Sequence, residues 1–160
     1  MVEDTYCSAR LAVNYIRSCC DQDEAQLVEN RNGTIVANMR HKASPTKGRG
    51  VATSTDGGKT FSDIRFDSQL VASVCQATIM RSSQNGMIYF ANPAVSHGRT
   101  HGKVRRSQTG LVGSWETSTF DITDASFGYS CLTDVAEKGR IGLLWEGRGG
   151  IVFSTIPLEF

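Results

Sequence analysis

Three times along this chain a polar, glycine-containing cluster separates two short apolar runs, and that spacing constrains the fold more than any other feature. Gln26 to Asn30 and Thr34 to Met39 flank Arg31-Asn32-Gly33. Thr78 to Arg81 and Met87 to Ala91 flank Ser82-Ser83-Gln84-Asn85-Gly86, and Ser130 to Val135 and Ile141 to Trp145 flank Glu137-Lys138-Gly139-Arg140. Asn-Gly between alternating runs is the strongest short-range hairpin signal, because both residues accept the positive φ that a tight turn between twisted strands demands. A further run, Ile151 to Ile156, follows Gly147-Arg148-Gly149-Gly150. Only Arg10 to Cys19 has spacing compatible with a helix, and its period is ambiguous. Short strands punctuated this regularly predict an all-β fold: a sandwich, barrel or propeller.

Composition narrows function by exclusion. The 160 residues, 39% apolar and 21% charged, suit a folded domain with a sizeable core. A formal net charge of +1 argues against nucleic acid as a partner, since such binders concentrate a basic excess. Arginine outnumbers lysine, which suits bidentate recognition of carboxylates, although codon composition produces the same bias. Cys7, Cys19, Cys20, Cys75 and Cys131 are odd in number and lack CxxC spacing, so they predict buried free thiols rather than a zinc site or disulfide framework. No stretch is long and apolar enough to span a membrane, and Met1 to Cys20 does not read as a signal peptide.

Ser54-Thr55-Asp56-Gly57-Gly58-Lys59-Thr60-Phe61 fits the pattern S-x-D-x-G-x-T-[W/F]. Its logic is local: Asp56 can accept the turn's N–H groups, the glycines permit left-handed dihedrals, and Phe61 can pack beneath. The pattern resembles the Asp box, a turn between outer strands in the blades of sialidase-like propellers. A degenerate second copy spans Ser107 to Trp115 with one residue too many. Asp boxes also occur in non-enzymatic β-proteins, so this one marks a fold and leaves the reaction open.

From Asp23 to Phe160 further segments resemble the sialidase (neuraminidase) family in the right order. Glu24-Ala25-Gln26-Leu27-Val28-Glu29, followed by Ala37-Asn38-Met39-Arg40, is similar to the run from the family's catalytic glutamate to its second triad arginine. The resemblance assigns those roles to Glu24 and Arg40; Glu29 is the competing glutamate and is expected to face solvent. His97-Gly98-Arg99-Thr100-His101-Gly102 resembles the segment of the third triad arginine, giving Arg99. Phe127-Gly128-Tyr129-Ser130 resembles the segment of the tyrosine nucleophile, giving Tyr129. Gly142-Leu143-Leu144-Trp145-Glu146 resembles a terminal strand whose glutamate orients the first triad arginine, giving Glu146. Gln76 and Asn92 fall in segments similar to pocket-lining strands. His97 and His101 lack a third ligand for a metal.

The chemistry implied is retaining hydrolysis with tyrosine, the exception among glycosidases that otherwise use a carboxylate nucleophile. Sialic acid carries its own carboxylate beside the reacting carbon, so a neutral phenol approaches where a carboxylate would be repelled. Glu24 would take the Tyr129 proton, nearby arginines would favour phenolate, and Arg40 and Arg99 would clamp the substrate carboxylate. No cofactor or metal is implied.

The resemblance makes residues 23–160 the C-terminal part of a six-bladed propeller and residues 1–22 a divergent segment. Neither the family's first triad arginine nor its acid/base aspartate is recognisable in the chain. At about 40–50 residues per blade, only about three blades are present. Open sheet edges then predict self-association. The expected function is an exo-α-sialidase acting on sialylated glycoproteins, glycolipids or oligosaccharides; the alternative is an inactive sialic-acid-binding or Asp-box interaction module. The family occurs in lysosomal and secreted settings, and this sequence does not choose between them.

Overall fold

The computed structural model describes residues 22–42 and 47–160, all β among those residues. The ambiguous helical run Arg10 to Cys19, with Cys7, Cys19 and Cys20, lies outside them. Eleven strands form three antiparallel sheets. The first is β1 (Gln22–Glu29), β2 (Ile35–His41), β3 (Arg49–Ser54) and β4 (Arg65–Asp67). β5 (Thr78–Arg81), β6 (Ile88–Pro93), β7 (Thr100–Ser107) and β8 (Trp115–Ser126) make the second. The third is β9 (Ser130–Asp134), β10 (Arg140–Gly147) and β11 (Gly150–Pro157). Each sheet is a meander in chain order, and β5 packs between β1 and β9. The sheets therefore stack as blades of a partial β-propeller.

The hairpins form where the turn residues predict. Asn30 and Gly33 close the first by Asn30 N–H to the Thr34 carbonyl at 2.8 Å and Gly33 N–H to the Asn30 carbonyl at 3.0 Å, with Gly33 at φ +83°. Two cores lie between the blades. Val28, Val36, Val51, Leu70, Ile79, Ile88, Phe90 and Trp115 fill the first; Tyr89, Ala91, Val104, Phe127, Leu132, Ile141, Leu143 and Ile156 fill the second. β6 belongs to the middle blade, so Ile88 and Phe90 face one core and Tyr89 and Ala91 the other. A strand covered on both faces needs no polar alternation, which accounts for the run Ile88-Tyr89-Phe90-Ala91.

β1, β5 and β9 are the first strands of their sheets, each with an unpaired edge, and a buried edge N–H left bare is costly. Side chains of the neighbouring blade meet that need. Gln26 Oε1 accepts Ile79 N–H at 2.9 Å, Thr78 Oγ1 accepts Leu132 N–H at 3.1 Å, and Gln76 Oε1 accepts Ser130 N–H at 2.9 Å. Further out, Asp134 accepts from Ser82 Oγ at 2.6 Å and Ser83 N at 2.8 Å, tying the third blade to the β5–β6 turn.

The Ser54 to Phe61 turn sits between β3 and β4. Asp56 Oδ1 accepts from Thr60 N at 3.0 Å and Ser54 Oγ at 2.7 Å, its Oδ2 accepts from Thr60 Oγ1 at 2.7 Å, and Ser54 Oγ accepts Gly58 N–H at 2.9 Å. These bonds, led by the Thr60 amide, hold the Asp56 carboxyl far below the usual carboxylate range. Phe61 packs on Ala37, Met39 and Ala52. Ser107 to Trp115 occupies the same place between β7 and β8, with Thr109 where Asp56 stands. Ser107 Oγ accepts Gly110 N–H at 2.9 Å, as Ser54 does from Gly58. The carboxylate comes instead from the first blade: buried Asp67 Oδ2 accepts Trp115 Nε1–H at 3.0 Å and Gly113 N–H at 3.3 Å. The irregular copy thus becomes a staple between blades.

Two cysteines can be compared with expectation. Cys75 is buried and free; Cys131 is free but exposed, because alternation along β9 turns Leu132 into the core and Cys131 away from it. Ile151, Val152 and Phe153 on β11 and Leu144 on β10 are also exposed, and among the described residues β11 pairs only with β10.

Candidate functional site

Antiparallel meanders return alternate strand ends to one rim, and the candidate residues other than Asn92 lie there. Glu24 is near the start of β1, Arg40 near the end of β2, and Gln76 just ahead of β5. Arg99 and Tyr129 precede β7 and β9, and Glu146 is near the end of β10. A β-bulge between Asp23 and Gln26 turns Glu24 out of the ladder at φ +40°, a left-handed conformation that a non-glycine residue holds only when its surroundings fix it.

Those surroundings are a continuous chain of contacts. The Tyr129 hydroxyl donates to Glu24 Oε1, and Arg40 Nη1 donates to Glu24 Oε2 at 2.5 Å. Asp23 stands 3.6 Å from Arg40 Nε and pairs with Lys42 Nζ at 2.7 Å. Arg99 carries no ion pair among the described residues, and its guanidinium carbon lies 5.1 Å from the Tyr129 ring centroid, a cation–π arrangement. Tyr129 therefore links both arginines. Burial pushes the Glu24 carboxyl up, but hydrogen bonds from Tyr129 and Arg40 and the charges of Arg40 and Arg49 outweigh it, leaving Glu24 below its ordinary value. Tyr129 moves the other way, raised by its bond to Glu24, then by burial and the Glu24 charge, with Arg40 opposing. Arg40 does favour phenolate, as expected, but the adjacent carboxylate and burial outweigh it, and the resting pair is phenol and carboxylate.

The turn that presents Tyr129 is fixed from beneath. Phe127 is fully buried, stacks on Trp145 at 5.3 Å, donates its N–H to the Arg99 carbonyl at 2.8 Å, and lies against Gly102, where a Cβ would meet its ring at 2.2 Å. Glu146 Oε2 accepts Tyr129 N–H at 3.1 Å, and a Cβ on Gly128 would stand 2.4 Å from that oxygen. An open cleft of about 410 Å³ lies between Arg99, Gly128, Glu146 and Ile151. A shallower one of about 290 Å³ lies between Gln76, Tyr129, Leu144 and Trp145. Another cleft, about 380 Å³, opens at the opposite strand ends between Asn30, Arg31, Asn85 and Gln108, remote from the tyrosine and without a carboxylate in its lining.

One expectation changes. Asn92 is 1% exposed, and its Nδ2 donates to the Val71 carbonyl at 2.8 Å and the Pro93 carbonyl at 3.0 Å, so it is a buried structural residue rather than a pocket wall. Gln76 lines the shallower cleft as expected, and its amide bonds the Ser130 backbone, where it sets β9 against β5. Glu29 is exposed, as expected of the competing glutamate. His97 and His101 bond their neighbours Ser96 and Thr100 at 3.0 and 2.9 Å. Sequence reasoning missed Asp23, Phe127 and Arg49, the last because an arginine opening the strand Arg49-Gly50-Val51-Ala52 reads as a solvated end residue until the strand's partners are known.

Stacked antiparallel blades with a tyrosine, carboxylate and arginine cluster at one rim define part of a propeller of the sialidase type. No protein-family model matches this sequence. A sialidase of Micromonospora viridifaciens is 31% identical over 147 residues, which are 86% of this chain and 22% of that protein. Among solved structures, a Hadza microbial sialidase superposes with a TM-score of 0.74 at 27% identity over 87% of this chain and 28% of its own. The intramolecular trans-sialidase of Ruminococcus gnavus, at 21% identity, shares the fold with a TM-score of 0.70 over 89% of this chain and 34% of its own. The chain is a sialidase homologue that spans about a third or less of these relatives' lengths.

Proposed function

We propose that this chain carries part of a sialidase active site, with Tyr129 as nucleophile, Glu24 as its base, and Arg40 and Arg99 as the anchors of the substrate carboxylate. The observation that carries the reading is the Tyr129 hydroxyl donating to a carboxylate that is itself ion-paired to an arginine. A neutral phenol beside an ionised base is the resting state this attack requires. The proton passes to Glu24 as the phenolic oxygen bonds to the anomeric carbon and the bond to the leaving oxygen breaks, the leaving oxygen taking a proton from solvent. Water then cleaves the tyrosyl–sugar bond, giving up one proton to solvent while Glu24 returns the first proton to the Tyr129 oxygen, with overall retention. Glu146, through the Tyr129 amide, positions the nucleophile. The substrates are terminal sialosides on glycoproteins, glycolipids or oligosaccharides.

The deciding experiment is release of a fluorogenic leaving group from a sialoside by the chain and by Tyr129→Phe. Turnover that vanishes in the variant supports the reading; turnover equal in both removes Tyr129 from the reaction. A second reading, sialic-acid binding without turnover, is favoured by the bonding of the rim carboxylates. Among the described residues Asp23 pairs with Lys42, Glu24 with Arg40 and Tyr129, and Glu146 with the Tyr129 amide, leaving none free to protonate a leaving group. Binding without turnover, retained in Tyr129→Phe, identifies that case. The exposed β10–β11 residues support self-association of this chain, read by sedimentation across a concentration series.

A further inference from the structure

Among the described residues Arg49 is one of the largest fully buried side chains, at 1% exposure, and it has no carboxylate in contact. Its Nε donates to Asn38 Oδ1 at 2.8 Å, its Nη1 donates to the Cys75 carbonyl at 3.2 Å, and its guanidinium lies 5.9 Å from the Phe90 ring centroid. Both acceptors are neutral and do not cancel its charge. A buried charge is expensive unless an opposite one lies close enough for the low dielectric to transmit the attraction. Register shows which anions those are. Met39 pairs with Gly50, so Arg40 and Arg49 each stand one residue beyond that pair, on the face turned toward the second blade, and Arg40 is in turn opposite Asp23 on β1. Two guanidiniums side by side repel, and the carboxylates of Asp23 and Glu24 are what offset them.

We infer that Arg49 is a positioning residue that acts through Glu24, its buried guanidinium holding that carboxylate in the ionised form from behind Arg40. The inference rests on the proposed role of Glu24 as base. Arg40 can be drawn toward a bound substrate anion, which would weaken its bond to Glu24 while adding negative charge nearby. Arg49 lies too deep to be drawn away. Its field persists when a second anion enters, and so does the ionised base.

The groups around Glu24 leave no other buried cation in this position among the described residues. Arg40 faces it from β2, Tyr129 from ahead of β9, and Asp23, paired with Lys42, adjoins it on β1. Exposed Arg99 packs on Tyr129, and the Cys75 thiol is pushed up by burial and stays neutral. Burial pulls Arg49 down to about 9, so it remains a cation at neutral pH, and its charge is among the influences that lower Glu24.

The test is the titration of the Glu24 side-chain carboxyl carbon by NMR in the full chain labelled at glutamate, with Glu24→Gln assigning the signal. Three variants are compared: Arg49→Met, Arg49→Gln, which retains hydrogen bonding to Asn38, and Phe90→Leu, which alters packing beneath the guanidinium but keeps its charge. Both Arg49 variants are expected to raise the Glu24 midpoint, the direction that loss of a nearby opposite charge gives, with Phe90→Leu unchanged. An unmoved midpoint in a folded Arg49→Gln chain, or an equal shift in Phe90→Leu, overturns the inference. The readout needs no turnover, so a chain that proves inactive as a sialidase still answers it.

Discussion

The Tyr129 hydroxyl donates to Glu24 Oε1 across a sequence separation of 105 residues, joining the first described strand to the third blade. Because the Glu24 side chain is 27% exposed and Tyr129 36% exposed at the rim, substitution at either site should spare the fold. Glu24→Gln is expected to lower sialoside turnover by about 10²–10⁴-fold, the usual contribution of a general base, and Tyr129→Phe at least as far. Near-wild-type rates in either variant, with ligand affinity retained, would remove this pair from the mechanism.

The pH dependence follows from the signs. Glu24 and Asp134 both sit below their ordinary values; burial opposes this in each, and hydrogen bonds from Tyr129 and Arg40, or from Ser82 and Ser83, overcome it. Groups depressed on folding contribute stability above the unfolded carboxylate range, and the contribution is lost as pH falls through the folded values. Asp134→Asn should therefore flatten the acid side of the stability profile and leave neutral pH less stable. Thermal melts between neutrality and strong acid check this; an unchanged profile contradicts it.

Trp115 Nε1–H is one of the donors on the buried Asp67 carboxylate. Trp115→Phe keeps most of the ring packing on Phe90 and removes that donor. A loss of about 1–3 kcal/mol is expected, the cost of leaving a buried acceptor short of a partner. Asp67→Asn in the Trp115→Phe background should then cost less than in the wild type, which a double-mutant cycle in denaturant measures.

Gly128→Ala places a methyl group 2.4 Å from Glu146 Oε2 and forces that carboxylate off the Tyr129 amide. Overpacking of this kind costs about 1–3 kcal/mol. The sharper expectation is functional: kcat falls more than KM rises, because Tyr129, the proposed nucleophile, is misplaced while Arg40 and Arg99 are untouched. Equal effects on both parameters would argue that Glu146 holds the loop and not the attack.

The strands were legible where alternation met turn chemistry. Thr78–Arg81 falls where its run of residues predicts, and the hairpins around Gly33, Gly86 and Gly139 close at their glycines. Bounds shifted elsewhere: β1 begins at Gln22 rather than Gln26, because the bulge at Glu24 carries the ladder past the point where alternation fails. The long strand β8 was not anticipated, since its exposed polar face reads as loop.

The sequence alone determined local matters: which residues can turn, which runs alternate, the Asp56 turn, and the ordered resemblance that nominated Tyr129, Glu24, Arg40, Arg99 and Glu146. These are legible because each depends on neighbours within a few positions or on the order of segments. Tertiary structure decided whatever depends on distance through space. It put Tyr129 against Glu24, set the direction of both their proton affinities, moved Asn92 from cleft to interior, and lent Asp67 to a turn that lacks its own carboxylate. It also buried Arg49 behind the site. Burial and electrostatics are properties of what the other blades bring near, and no spacing along a single strand encodes them.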